Sequence, residues 1–259
     1  MPQWTVISKS SHAQTHYYPR EGYHHTSEQL VAPILLAELP KLTQHFMLGF
    51  MPQGEHFIAV ALLGVEQGQN LYVHPDGRWL GSYVPASLRG YPFNLLPDEH
   101  GQQVLCIDAE QLVDATDVGQ ALFDEHGQPS DALVKQLDFQ QHCEANRQRT
   151  QQAVDALQQA DVLQPWPLEI SRGEGATPKR VEGLYRIDEK ALNTLDAETY
   201  VTLQGAPMAL AHAQLFAAHQ LSQLTERAKF HAQTGPQEMP DDLDSLFNDD
   251  DDGDLSFDF

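Results

Sequence analysis

Histidine is the residue type in this sequence with the widest range of possible chemistry, since an imidazole can bind a metal ion or transfer a proton near neutral pH. The chain has 13 histidines, and His12, His16, His24 and His25 lie close together near its start. His12 and His16 have the i, i+4 spacing of two metal ligands on a helix. However, no HExxH motif or CxxC pair accompanies them, and their segment has no helical apolar stripe. The sequence therefore favours a solvated arm rich in His and Tyr, and it predicts no metal ligand.

A second group of residues combines positive charge with aromatic rings in the segment DGRWLGSYVPASLRGYPF. Arginine and aromatic side chains dominate binding hot spots, and arginine can receive a carboxylate or an acidic peptide. The alternative is a hairpin and a turn whose aromatic rings fill the core. Both interpretations stay open. The candidate residues for a ligand or peptide groove are Arg78, Trp79, Tyr83, Arg89, Tyr91 and Phe93.

Carboxylates at the ends of predicted strands are a third group. Asp108 follows the apolar run VLCI, and Asp124 and Glu125 lie in FDEHGQP. Such carboxylates can bind a cation or form an acid–base pair, but FDEHGQP lacks EF-hand spacing and is typical of an Asp/Gly turn. No nucleophile elbow, P-loop or dinucleotide fingerprint is present. The sequence therefore predicts no catalytic residue and no cofactor.

Short β-branched and aromatic runs between Phe46 and Asp108 predict the strands that position these residues. They are FMLGFMP, HFIAVALLGV, NLYVHP, RWLGSYVP and QQVLCID. Asp76-Gly77 supplies the positive φ that a hairpin turn needs, and SLRGYPF predicts a short helical turn. Two further strands are predicted in PWPLEIS and KRVEGLYRID, joined by a turn at RGEGATP.

Helical patterns surround this block. Ser27 is predicted to cap a helix that carries Leu30, Ile34 and Leu35 on one face. A long helix begins at Pro129 or Ser130, and its apolar stripe fades midway, which predicts a solvated centre. DEKALNTLD predicts a short helix. A final helix begins at Pro207, stops at Gly235-Pro236, and carries His212 and His219 on one face at the edge of the core.

Strands and helices occur in blocks, which favours an α+β fold over a doubly wound sheet. We predict a single compact domain with a mixed or antiparallel sheet and flanking helices. Its parts are an irregular N-terminal arm (1–28), the α+β domain (29–234) and a disordered acidic C-terminal tail (235–259). The N-terminus lacks a signal peptide and no apolar run could span a membrane, which predicts a cytoplasmic protein without membrane insertion. The two cysteines, Cys106 and Cys143, do not suggest a disulfide framework.

The charge of the chain, −22, is concentrated in the tail. Residues 236–259 hold ten of the 37 acidic residues and no Lys or Arg, which leaves 27 acidic against 15 basic residues in the body. This balance argues against nonspecific binding of nucleic acid or anionic lipid. Leu and Phe interrupt the acids in two clusters, as in segments that dock into a basic-rimmed groove. The predicted docking residues are Leu246, Phe247, Leu255, Phe257 and Phe259. The alternatives are a solubilising tail, a DNA-mimicking shield, and a tail that folds back on Arg78, Arg89 or the basic stretch 179–186.

The order of several segments resembles the SapC-like family of Gram-negative bacteria from about Leu30 to Arg227. These segments are ALLGVEQGQNLYVHPDGRWLGSYVPASLRGYPFNLL (61–96), VLCID (104–108), LFDEHGQPSDAL (122–133) and VEGLYRIDEKALNTL (181–195). The family takes its name from a locus for surface-layer protein production, and relatives occur beside halogenase-like and cupin-like proteins. The resemblance supplies no catalytic residue.

Two functions follow as hypotheses. The first is a nonenzymatic accessory or binding protein in surface-protein or envelope-related biogenesis, whose body binds a protein or peptide and whose tail recruits a partner. The second is an enzyme, or an enzyme component, that works with a cupin-like or flavin-dependent halogenase-like partner. The first ranks higher because no catalytic motif is recognisable.

Overall fold

Antiparallel sheets covered by helices form the protein, in a computed structural model that describes residues 2–66, 68–114, 119–170 and 179–233. Within these residues the strands are β1 (Trp4–Val6), β2 (His16–Tyr17), β3 (Val31–Pro33), β4 (Leu48–Gln53), β5 (His56–Leu62), β6 (Phe93–Pro97), β7 (Gln103–Asp108), β8 (Leu112–Val113), β9 (Gln120–Ala121), β10 (Leu163–Pro165), β11 (Leu168–Ile170), β12 (Lys179–Val181) and β13 (Tyr185–Ile187). The helices are α1 (Lys9–His12), α2 (Leu39–His45), α3 (Ala86–Arg89), α4 (Asp131–Gln159), α5 (Glu189–Asn193), α6 (Ala197–Thr202), α7 (Ala206–Ala217) and α8 (Leu221–Gln233). The predicted α+β class is confirmed.

The largest sheet has the order β10-β13-β4-β5-β3, and every pairing in it is antiparallel. A tight turn at Gly54, whose φ is +63°, joins β4 to β5. The apolar runs of these two strands are buried with α2, α4 and α7 in the main core, because each strand is covered by helices.

A second, smaller core lies beside the sheet β1-β7-β6 and contains Tyr17, Phe93, Ile107, Leu122 and Leu133. The N-terminal segment contributes to it directly. Strand β1 pairs with β7, and β2 pairs with both β8 and β9. The prediction of an irregular arm over residues 1–28 is therefore wrong for these strands, which are too short to show a strand pattern in the sequence.

Helix α4 spans the two cores. Ser130 is its N-cap, as predicted, and its hydroxyl accepts a hydrogen bond from the Leu133 N–H at 3.2 Å. Leu133 packs in the smaller core, whereas Val154 and Leu157 pack in the main core. The polar centre of α4 thus crosses the space between the cores. No helix in the described part of the chain is long and apolar enough to cross a membrane.

Other local predictions are wrong. The segment after Ser27 forms β3 rather than a helix, because it pairs with β5 as an edge strand. NLYVHP and RWLGSYVP form no strands beyond the isolated bridge between Val73 and Trp79, which closes the predicted Asp76-Gly77 turn. The final helix is divided by a 3-10 turn at Ala218–Gln220. The RGEGATP turn and the Gly235-Pro236 stop lie outside the described residues.

Candidate functional site

A cleft of about 370 Å³ lies under the polar centre of α4, between the edge strand β6 and the chain that follows β3. We call it the α4 cleft. Its walls are mainly apolar and aromatic, and polar side chains stand among them. The residues that define it are Trp4, Ile34, Leu35, Leu88, Tyr91, Phe93, Leu95, Gln29, Asn94, Gln140, Cys143 and Arg147. Such a concave, largely apolar surface with a few polar groups is the usual form of a binding site.

One wall of the α4 cleft is the open edge of β6. Leu95 pairs with Leu105 of β7, whose carbonyl accepts a hydrogen bond from Ile7 on the opposite side. Since both main-chain polar groups of a strand residue point the same way, the N–H and C=O of Leu95 point away from β7. Within the described ranges neither group has a protein partner. The cleft therefore offers one unpaired donor and acceptor beside apolar walls.

Glutamines of α4 fix the start of β6. Gln140 is buried, and its Nε2 donates to the Phe93 carbonyl at 2.6 Å. Gln136 Nε2 donates to the Gly90 carbonyl at 2.7 Å. A Cβ on Gly90 would lie 2.4 Å from Gln140 Nε2, so a larger residue there would displace the Gln140 amide from its hydrogen bond to the Phe93 carbonyl. The stripe of α4 is polar here because its side chains satisfy loop carbonyls.

Behind the cleft, the carboxylate of Glu38 joins three chain segments. Its Oε1 accepts hydrogen bonds from the Tyr83 hydroxyl at 2.8 Å and the Ala86 N–H at 2.6 Å. Its Oε2 accepts one from the Leu35 N–H at 3.2 Å. Arg89 lies 3.7 Å away, and only 5% of the Glu38 side chain is exposed. Glu38 therefore fixes α3 against the turn that precedes α2.

We call Glu38 and the side chains near its carboxylate, Tyr83, Arg89 and Cys143, the Glu38 group. Burial is the largest cause of the pKa shifts of Glu38, Tyr83 and Cys143. It raises the pKa of Glu38, although Tyr83, the Ala86 N–H and Arg89 act in the opposite direction. Burial and the Glu38 carboxylate together raise the pKa of Tyr83 to about 12. Burial also raises the pKa of the Cys143 thiol, which Glu38 raises further. At neutral pH the tyrosine and the thiol are therefore protonated, which does not favour nucleophilic chemistry.

A second cleft, of about 430 Å³, lies on the other side of a stacked ring pair. We call it the arm cleft; it is lined by Tyr18, Pro19, Arg20, Glu21, Gly22, His24, His25, Tyr91 and Gln111. His25 and Tyr91 belong to both clefts, and their rings stack at 3.9 Å. The Tyr91 hydroxyl donates to the buried Asp108 at 2.8 Å. Burial and Arg20 lower the pKa of His25 to about 4, so its imidazole is neutral at neutral pH.

The six predicted groove residues occupy four places. Tyr91 and Phe93 line the α4 cleft, and Tyr83 and Arg89 lie behind it in the Glu38 group. The other two lie elsewhere: Arg78 is paired with Asp76 in the exposed turn, and Trp79 packs against Tyr72 and Phe46 of the main core. The core interpretation of the segment therefore applies to Trp79.

The histidine and carboxylate candidates have structural surroundings. His12 ends the short helix α1 and His16 lies in β2, so the two do not share a helix. The Asp124 carboxylate accepts hydrogen bonds from the His126 and Gln128 N–H groups, which confirms the turn. Within the part of the chain that the structure covers, no three His, Cys, Asp or Glu side chains converge as metal ligands. Cys106 and Cys143 are free thiols.

The family assignment rests on the extent of one match. The SapC family model matches residues 7–224, which include the arm cleft, the Glu38 group and all of the α4 cleft except Pro2 and Trp4. The chain belongs to the SapC family. The SapC match begins earlier than the expected start at Leu30, and this agrees with the pairing of the N-terminal strands. No curated protein and no solved structure matches the chain. The predicted docking residues of the tail lie outside both the SapC match and the described residues.

Proposed function

We propose that this SapC-family chain is a nonenzymatic accessory protein that binds an extended segment of a partner protein in the α4 cleft. The observation that carries the proposal is the unpaired N–H and C=O of Leu95 in a cleft with aromatic walls. A partner strand could pair with this edge while its side chains contact Tyr91 and Leu88, as in recognition by β-strand addition. The family supports a role in surface-protein or envelope-related biogenesis, and we place this role in the cytoplasm.

The partner that fits is a short apolar strand without a charged centre. Few main-chain groups on this edge of β6 are open to a partner. Pro97, on one side of Leu95, has no N–H, and the Phe93 carbonyl, on the other side, already accepts a hydrogen bond from Gln140. Only the main chain around Leu95 remains open. Two hydrogen bonds and an apolar contact suit a transient client rather than a permanent subunit.

Leu95→Pro is expected to weaken capture of the partner at least about tenfold, because it removes the outward N–H without removing a hydrogen bond to β7. A photo-crosslinking amino acid at the exposed Ser87, which lines the cleft, reports the binding. In cells it should give a discrete adduct whose yield falls with Leu95→Pro. Mass spectrometry should place the crosslink in one short segment of the partner.

Two controls separate the effect of the Leu95 N–H from the effect of the Leu95 side chain and from nonspecific crosslinking. Leu95→Ala removes similar packing but keeps the N–H, so it should retain most of the adduct. The crosslinker at Glu99, in an exposed turn outside the cleft, should not give the same adduct. Equal adduct yields from Ser87 and Glu99, or equal effects of Pro and Ala at position 95, would contradict the proposal.

The tail is proposed to recruit a second partner through Leu246, Phe247, Leu255, Phe257 and Phe259. Its acids keep the apolar anchors solvated until they meet a basic-rimmed groove. Deletion of residues 236–259 is expected to remove a subset of the proteins that the full chain retains in pull-downs, while the Ser87 adduct persists. Identical sets with and without the tail would contradict recruitment.

An enzyme, or an enzyme component working with a cupin-like or halogenase-like partner, is the second candidate. The observation in its favour is the Glu38 carboxyl, whose pKa is raised, close to Tyr83 and Arg89 behind a cleft. A metal or cofactor that co-purifies at near-stoichiometric level would favour it. Glu38 is already committed to main-chain N–H groups, which makes the binding role the better supported one.

A further inference from the structure

Helix α7 has an exposed face that is unusually apolar for this chain. Phe216 is 69% exposed, and its ring stacks against His212 at 6.2 Å. Ala209 lies on the same face, because residues 209, 212 and 216 follow helical spacing, and both Ala209 and His212 are exposed. Just before the helix, Val201 and Tyr200 of α6 are 60% and 48% exposed. Exposed aromatic side chains such as Phe216 are enriched at protein interfaces.

The segment that carries this face has no charge. Residues 199–225 contain no Asp, Glu, Lys or Arg, although charged residues make up 20% of the chain. With a net charge of −22, two copies of the protein repel each other in most orientations. Contact through α7 brings together two surfaces that carry no acid along the helix, and it therefore avoids the closest like-charge pairs. The charge distribution thus permits self-association at this face.

We propose that α7 is the interface of a symmetric homodimer of this chain. A twofold interface needs a surface that complements itself. If two α7 helices cross antiparallel with the axis near His212, Phe216 of one copy lies opposite Met208 and Ala209 of the other. The small Ala209 side chain leaves space for the ring, and Met208 can adapt around it. The same contact is made twice, once on each side of the axis.

The size of the face sets the strength of the dimer. Two copies in contact through α7 and the end of α6 would bury on the order of 1,000 Å², at the lower limit for specific interfaces. The dimer therefore forms at micromolar concentration and exchanges with monomer. Because the remaining surface is acidic, added salt screens the repulsion and tightens the dimer, unlike an interface held by ion pairs.

Sedimentation velocity of the full chain over a concentration series tests the proposal. Weight-average mass should rise from 29.0 kDa towards twice that value, and the rise should shift to lower concentration in higher salt. Phe216→Glu should raise the dissociation constant at least about tenfold, since it removes the central apolar contact and places a charge in it. A chain that stays monomeric up to hundreds of micromolar in high salt overturns the proposal.

A pair of opposite charges tests which residues of the two α7 helices face each other. Ala209→Arg alone should also weaken the dimer, and combining it with Phe216→Glu should recover association, because each copy then places opposite charges across the axis. Val134→Glu is the matched control, since it adds the same charge at an exposed apolar residue of α4. The α7 interface would be contradicted if the double variant dimerised no more tightly than Phe216→Glu. It would also be contradicted if Val134→Glu raised the dissociation constant as much as Phe216→Glu. Circular dichroism confirms that each variant is folded.

Discussion

Glu38→Ala is expected to lower the free energy of unfolding by about 4 kcal/mol, because several donors lose their buried acceptor at about 1–3 kcal/mol each. The carboxylate is 5% exposed and accepts hydrogen bonds from the Leu35 and Ala86 N–H groups and the Tyr83 hydroxyl. Truncation would leave these donors buried without acceptors. Urea unfolding followed by circular dichroism measures the loss, which should appear as a lower midpoint at an unchanged slope.

Two further variants identify the source of this loss. Glu38→Gln keeps one acceptor oxygen for the Tyr83 hydroxyl and the Ala86 N–H but places an amide N–H₂ against the Leu35 N–H, so it should lose less stability than Glu38→Ala and more than Tyr83→Phe. Tyr83→Phe removes one hydroxyl and should cost about 1 kcal/mol. If Glu38→Ala unfolded within 1 kcal/mol of the parent, Glu38 would not hold α3 and the cleft wall in place.

Much of the main sheet could be predicted because its signals are local. The β4 and β5 runs are apolar and closed by a glycine turn, and the hairpin at Asp76-Gly77 follows from positive φ at Gly77. The β1 and β2 pairings could not be predicted in this way. These strands are three and two residues long, and their partners lie about a hundred residues away in sequence.

The residues of the candidate site also differ in how clearly the local sequence predicts them. Tyr91 and Phe93 were found because a dense group of Arg and aromatic residues is visible in sequence. Glu38 was not, because an isolated Glu near Pro40 gives no sign that it will be buried. Gln140 did leave a signal: the apolar stripe of α4 fades around it. The sequence predicts a solvated helix centre from this interruption, whereas the buried amide donates to the Phe93 carbonyl.

The stability of the fold is expected to fall by at most about 3 kcal/mol below pH 6.5 through His25, because solvent screening of the partly exposed ring reduces the full linkage value. Burial and the nearby Arg20 lower its pKa from 6.5 to about 4. As pH falls below 6.5, the unfolded chain binds a proton at this histidine, whereas the folded chain resists it. Unfolding is therefore favoured progressively, and the loss is complete near pH 4. Urea midpoints measured across this range give the profile.

His25→Phe isolates this contribution. Phenylalanine keeps an aromatic ring against Tyr91 and cannot be protonated. It loses the hydrogen bond of the imidazole to the Leu88 main chain, which lowers stability at every pH and does not itself create a slope. Burial also lowers the pKa of His231, so both proteins keep that part of the slope. The difference between the two profiles should be flat above pH 6.5 and widen towards pH 4 as the parent loses stability. Parallel profiles would mean that His25 titrates normally and that the wall shared by the two clefts is open to water.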